Sequence, residues 1–113
     1  MSLITTHVLD TARGRPAAGM LISLAQHQSD DSWITLAEGK TNEDGRIRDL
    51  LPANRLEIGI YRLIFATGEW FHTQGQACFY PVVEVCFLIE APHQHYHVPL
   101  LLSPFGYSTY RGS

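Results

Sequence analysis

An all-β fold, an antiparallel β-sandwich, is what this sequence predicts, and three observations carry the prediction. Roughly seven or eight short runs of apolar and β-branched residues follow one another along the chain. Turn-forming clusters separate them at fairly even spacing. Only one stretch suits a helix, whereas a βαβ fold needs helices between its strands.

The runs can be justified in order. Thr5 to Leu9 is apolar and β-branched, and it ends in Asp10-Thr-Ala-Arg-Gly-Arg-Pro16, a loop by composition. Met20 to Ala25 is closed by Gln28-Ser-Asp-Asp-Ser32. Trp33 to Ala37 is followed by Glu38 to Gly45, in which Asp44-Gly45 is a strong turn pair. Arg46 to Leu51 is short and charged, and Pro52-Ala-Asn54 breaks it. Gly59 to Ala66 is the clearest central strand, with Ile60, Arg62 and Ile64 set against Tyr61, Leu63 and Phe65. Thr67 to Gly75 is the one candidate helix, stopped by its glycine. Pro81 to Glu90 is a long apolar run. Tyr96 to Leu102 alternates, Ser103-Pro-Phe-Gly106 reverses the chain, and Tyr107 to Arg111 is extended again.

The totals fit a single domain over residues 1–113, long enough for a hydrophobic core without metal or disulfide support. A net charge of −3 with scattered signs argues against nucleic-acid binding. Cys78 and Cys86 have no zinc-like spacing and read as reduced, partly buried thiols. No apolar run is long enough to span a membrane, and residues 1–10 do not read as a signal peptide, so a cytoplasmic location is expected.

The end of the chain holds the chemistry. With a period of two, Tyr96, Val98, Leu100 and Leu102 point toward a core, while His93, His95 and His97 share the other face. A strand-borne His-x-His pair can bind zinc, because alternate imidazoles project together, yet no second cluster offers a further ligand. Polar surface or an interface is the rival account of these histidines. His7 stands alone on the first strand among Leu3, Thr5 and Leu9, a setting common for a structural histidine. Arg46 follows the Asp44-Gly45 turn, and its planar fork suits an anionic or carbonyl-bearing ligand. Tyr107-Ser-Thr-Tyr-Arg-Gly-Ser113 lacks the polar character of a frayed end, and Tyr110 is placed to stand beside the histidines across the hairpin.

Thr6-His-Val-Leu-Asp-Thr-Ala-Arg-Gly-Arg-Pro16, Asn42-Glu-Asp-Gly-Arg46, Gly59-Ile-Tyr61 and His95-Tyr-His-Val-Pro-Leu-Leu-Leu-Ser-Pro-Phe-Gly-Tyr-Ser-Thr-Tyr-Arg-Gly-Ser113 together resemble the 5-hydroxyisourate hydrolases, the transthyretin-related enzymes of urate breakdown. The likeness spans essentially the whole chain, and the terminal Tyr-Arg-Gly-Ser is the family's signature. It implies a transthyretin-like sandwich of two four-stranded sheets with one short helix. It also implies a homotetramer, a dimer of dimers, acting on a small-molecule substrate without cofactor or metal. Carried over by motif, His7, Arg46, His97 and Tyr110 are the implied catalytic residues. His7, Arg46, Tyr110, Arg111, Gly112 and Ser113 are the implied substrate contacts. Two other functions stay open: a carrier of aromatic ligands like transthyretin itself, and a zinc hydrolase built on the His93/His95/His97 face.

Overall fold

The computed structural model describes residues 2–52 and 55–113. Among these, the elements run β1 (Ile4–Asp10), β2 (Arg15–Pro16), β3 (Leu21–His27), β4 (Trp33–Lys40), β5 (Gly59–Phe65), α1 (Thr67–Thr73), β6 (Val83–Ile89), β7 (Tyr96–Ser103) and β8 (Gly106–Thr109). The strands form two four-stranded sheets, β2-β1-β7-β8 and β4-β3-β5-β6.

Alternation is what packs them. In β1 the buried positions are Ile4, Thr6, Val8 and Asp10, and in β5 they are Tyr61, Leu63 and Phe65. Ile4, Val8, Leu100 and Leu102 of the first sheet meet Ile22, Leu24, Leu63, Phe65 and Val83 of the second in one continuous core. Burying each of these aliphatic or aromatic side chains stabilises the fold by about 1.5–3 kcal/mol relative to leaving it in water. Helix α1 closes one end, where the Trp70 indole N–H donates to the Ala18 carbonyl at 2.7 Å. It stops at Gly75, whose φ of +69° lets the Gln76 and Gly75 amides turn back onto the Phe71 and His72 carbonyls.

Several expectations need correction. The sandwich is not wholly antiparallel: β1 and β7 run parallel, in unbroken register from Ile4 opposite Tyr96 to Asp10 opposite Leu102. These strands come from opposite ends of the sequence, so no tight hairpin dictates their direction. Strand β4 continues to Lys40 because β3 pairs with it that far, Leu21 lying opposite Lys40. Arg46 to Leu51 forms turns rather than a strand. Of the predicted break at Pro52-Ala53-Asn54, Pro52 bridges to Ser2, and Ala53 and Asn54 lie outside the described residues. Both cysteines are free thiols, but Cys86 is exposed, since it shares the outer face of β6 with Glu84 and Leu88. No helix among the described residues is long and apolar enough to cross a membrane.

Candidate active site

The outer face of β1 and β7 carries the site, and two loops complete it. The turn after β4 comes first. The Asn42 side-chain oxygen accepts from the Asp44 and Arg46 amides at 2.9 and 3.0 Å. The Asn42 amide in turn donates to the Arg46 carbonyl at 2.7 Å. Gly45, at a φ of +75°, presses this turn onto β1, where its carbonyl accepts from the Val8 amide at 2.8 Å. A Cβ at Gly45 would overlap the Val8 carbonyl, so the Asp-Gly pair is a docking requirement as well as a turn signal. The result is a β-bridge that sets Arg46 opposite His7.

His97 is placed by its strand. The Tyr96 hydroxyl accepts from the Glu90 and Ala91 amides, and the Tyr96 amide donates to the Leu3 carbonyl at 2.7 Å, which pins the start of β7. In the parallel register Thr5 faces His97. Thr5 Oγ1 lies 2.8 Å from His97 Nδ1 and also 2.8 Å from His95 Nε2. Gly112 backs the ring from the other side: its amide donates to the His97 carbonyl at 2.8 Å, and an added Cβ would stand 2.5 Å from His97 Cδ2. Only glycine admits the imidazole there.

These groups surround an open cleft of about 610 Å³, lined by Thr5, Arg46, Asp49, His95, His97 and Ser113 among others. Burial lowers the His97 pKa below its usual 6.5, and the Arg46 guanidinium, His95 and His7 push in the same direction, with a hydrogen bond to the Thr5 backbone opposing them. His97 is therefore a neutral imidazole near neutral pH, a group able to accept a proton. Beside it stand a second imidazole and a fixed cation, which can respectively move a proton and hold a negatively charged oxygen.

Three of the four residues expected to be catalytic thus converge: His7, Arg46 and His97. Tyr110 does not join them within one chain. It is 58% exposed and lines a separate depression with Val85, Phe87 and Tyr96. The reason lies in β7. Extending the β7–β8 register puts Tyr110 opposite Pro99, which has no N–H to offer, and the Pro99 carbonyl takes its hydrogen bond from the Thr109 hydroxyl at 2.7 Å instead. The ladder is interrupted at Tyr110 and Arg111 and resumes where Gly112 bridges His97. Arg111 also leaves the cleft, its guanidinium lying 4.5 Å over the Tyr96 ring. Of the expected substrate contacts in the tail, Ser113 lines the cleft and Gly112 supports His97 from behind.

The three histidines do not form one face. His93 sits in the turn before β7, while the His95 and His97 rings lie nearly parallel with centroids 6.3 Å apart. Among the described residues no three His, Cys, Asp or Glu side chains are grouped as a metal ion requires. Thr5 and Asp49 were missed by the sequence reading. Thr5 was legible as a face-mate of His7, but its contact with His97 depends on a register that alternation does not report.

The chain is similar to known proteins along nearly its full length. The model of the HIUase/Transthyretin family matches residues 4–112. The 5-hydroxyisourate hydrolase of Mus musculus is 47% identical over 113 residues, covering 99% of this chain and 96% of its own. The solved 5-hydroxyisourate hydrolase of Klebsiella pneumoniae superposes with a TM-score of 0.85 at 38% identity, over 97% of this chain and 92% of that one. Sea bream transthyretin in complex with thyroxine superposes with a TM-score of 0.93 at 33% identity, over 98% and 95%. On the family match and on relatedness along nearly the full length, the chain belongs to the HIUase/Transthyretin family.

Proposed function

We propose that the protein hydrolyses 5-hydroxyisourate to 2-oxo-4-hydroxy-4-carboxy-5-ureidoimidazoline, by direct attack of water on the cyclic amide. The observation that carries this reading is the convergence of three separate segments, Arg46 and His97 lining one cleft and His7 bridged to Arg46 beside them. Kinship with proteins named 5-hydroxyisourate hydrolase supports the choice of substrate.

Opening a ring amide requires a proton to leave water, a negative charge to be held on the carbonyl oxygen, and a proton to reach the departing nitrogen. His97 is the base, since its depressed affinity keeps it neutral and Thr5 already occupies Nδ1, leaving Nε2 to the cleft. Arg46 donates to the developing oxyanion or to an anionic form of the substrate. His7 shares proton transfer with His97. As the carbon–nitrogen bond breaks, the acyl carbon keeps the water oxygen as a carboxylate, and the ring nitrogen takes up the delivered proton to become the terminal NH2 of the ureido group.

A homotetramer, arranged as a dimer of dimers, would convert this open cleft into an enclosed pocket. Tyr110 faces away from the cleft within one chain, so its part in binding the substrate requires that assembly. The decisive experiment follows the ultraviolet decay of freshly made 5-hydroxyisourate, with light scattering to count subunits. Decay far faster than the spontaneous rate is expected. A binding protein of the same fold would leave that rate unchanged, and the reading would then be wrong.

A further inference from the structure

We propose that Thr5 is a positioning residue which, with His95, holds the His97 imidazole in the tautomer whose Nε2 lone pair faces the cleft. The inference rests on the hydrolase reading for its meaning, though not for its test.

A threonine hydroxyl carries one proton, and Thr5 Oγ1 stands at 2.8 Å from two ring nitrogens, His95 Nε2 and His97 Nδ1. It can donate to only one of them, so at least one of the two rings must present its N–H to the hydroxyl. Where the hydroxyl accepts from both rings, His97 carries its proton on Nδ1; where it donates to one of them, two patterns satisfy the trio. In one, Thr5 donates to His95 and accepts the His97 Nδ1–H, leaving Nε2 of His97 with its lone pair. In the other, His95 donates to Thr5, Thr5 donates to His97 Nδ1, and the His97 proton sits on Nε2, where no base remains.

The surroundings favour the first pattern. Arg46 and His97 line the same cleft, and a lone pair toward a guanidinium is preferred over an N–H toward the same cation. When His97 takes a proton at Nε2, its Nδ1–H already has the Thr5 oxygen as acceptor, and nothing needs to reorganise. The hydroxyl is itself well held. Thr5 is β-branched and stiff, it lies in β1, and its register partner in β7 is His97. His95 is anchored in turn by the C-terminal segment, the Arg111 guanidinium donating to its carbonyl at 3.4 Å while stacking on Tyr96. This gives Arg111 a structural use that does not depend on touching the substrate.

The test uses the full-length protein with nitrogen-15 in its histidines. Two-bond proton–nitrogen correlation spectra report each ring's tautomer, with His97→Asn identifying the His97 signals, and kinetics on 5-hydroxyisourate run alongside. The native protein should show His97 as a single Nδ1–H tautomer. Thr5→Val keeps the shape and removes the hydroxyl; a mixed tautomer is expected, with kcat down about tenfold and KM within about twofold. Thr5→Ser should restore both spectrum and kcat, and His95→Ala should reproduce the mixed tautomer from the other side. A single Nδ1–H tautomer in both Thr5→Val and His95→Ala would overturn the proposal. So would a serine variant as impaired as the valine one. If the native protein fails to turn over the substrate, the hydrolase reading falls while the spectra still decide the Thr5 link.

Discussion

The two sheets obey the same alternation, yet only one gathers imidazoles and a guanidinium on its outer face. On β5 and β6 the outward positions include Ile60, Arg62, Glu84, Cys86 and Leu88. There Arg62 lies 4.2 Å from the Trp33 ring and 3.6 Å from the Glu84 carboxylate, an ordinary neutralised surface cation. On β1 and β7 the outward positions are Thr5, His7 and His97, and a guanidinium stands among imidazoles rather than beside its own carboxylate partner. What separates the two faces is what other segments bring to them. The Asn42–Arg46 turn and the Gly112 segment both close onto the first sheet, each through a glycine, where an added Cβ would meet the Val8 carbonyl at Gly45 and the His97 ring at Gly112.

The largest contrast should come from removing the chemistry of the first face. His97→Asn and Arg46→Ala are each expected to slow turnover of 5-hydroxyisourate at least about a hundredfold without altering the assembled state, measured by ultraviolet decay and size-exclusion chromatography. The pH profile adds a signed check. A base must be neutral to work, and burial and Arg46 together lower the His97 affinity for protons, so the acid limb of kcat/KM should fall below histidine's usual 6.5. In Arg46→Ala the residual activity should show that limb moved upward, toward 6.5 but short of it, since burial remains. By the same sign the native fold loses stability as pH drops below 6.5, because the unfolded chain takes up its proton first.

A smaller effect is expected from Gly112→Ala. The added Cβ, 2.5 Å from His97 Cδ2, forces the imidazole aside. Displacement of a catalytic group by a fraction of an ångström to 1 Å should lower kcat by roughly tenfold to a hundredfold, with the denaturation midpoint little changed. A variant of native activity would mean that the ring's position is not set from behind. The smallest effect belongs to the other sheet. Arg62→Ala removes a cation–π contact and a half-exposed ion pair, and among the described residues Arg62 Nε has no hydrogen-bond partner to lose. A stability loss of about 1 kcal/mol or less in urea titration is expected, with kcat unchanged.

Much of this was legible before any coordinates. Period-two alternation reports which side chains turn inward, so Tyr96, Val98, Leu100 and Leu102 were assignable to the core and His97 to the opposite face. Turn chemistry marked Asp44-Gly45 and Ser103 to Gly106, and family motifs singled out His7, Arg46 and His97. His93 was misplaced because the alternation was carried back past the start of β7, into a turn. Tyr110 was set beside the histidines by an ideal hairpin, and Pro99 spoils that hairpin at the one pair that matters.

By itself, then, the sequence determined the strands, their inner faces and the family, and it singled out the candidate side chains. Tertiary structure alone decided that β1 and β7 run parallel, that Thr5 therefore stands against His97, and that Arg46 bridges to His7. Face preference is local, a property of successive residues in one strand. Partner, direction and register are set by hydrogen bonding between segments some ninety residues apart, as Thr5 and His97 are, and no local pattern encodes them.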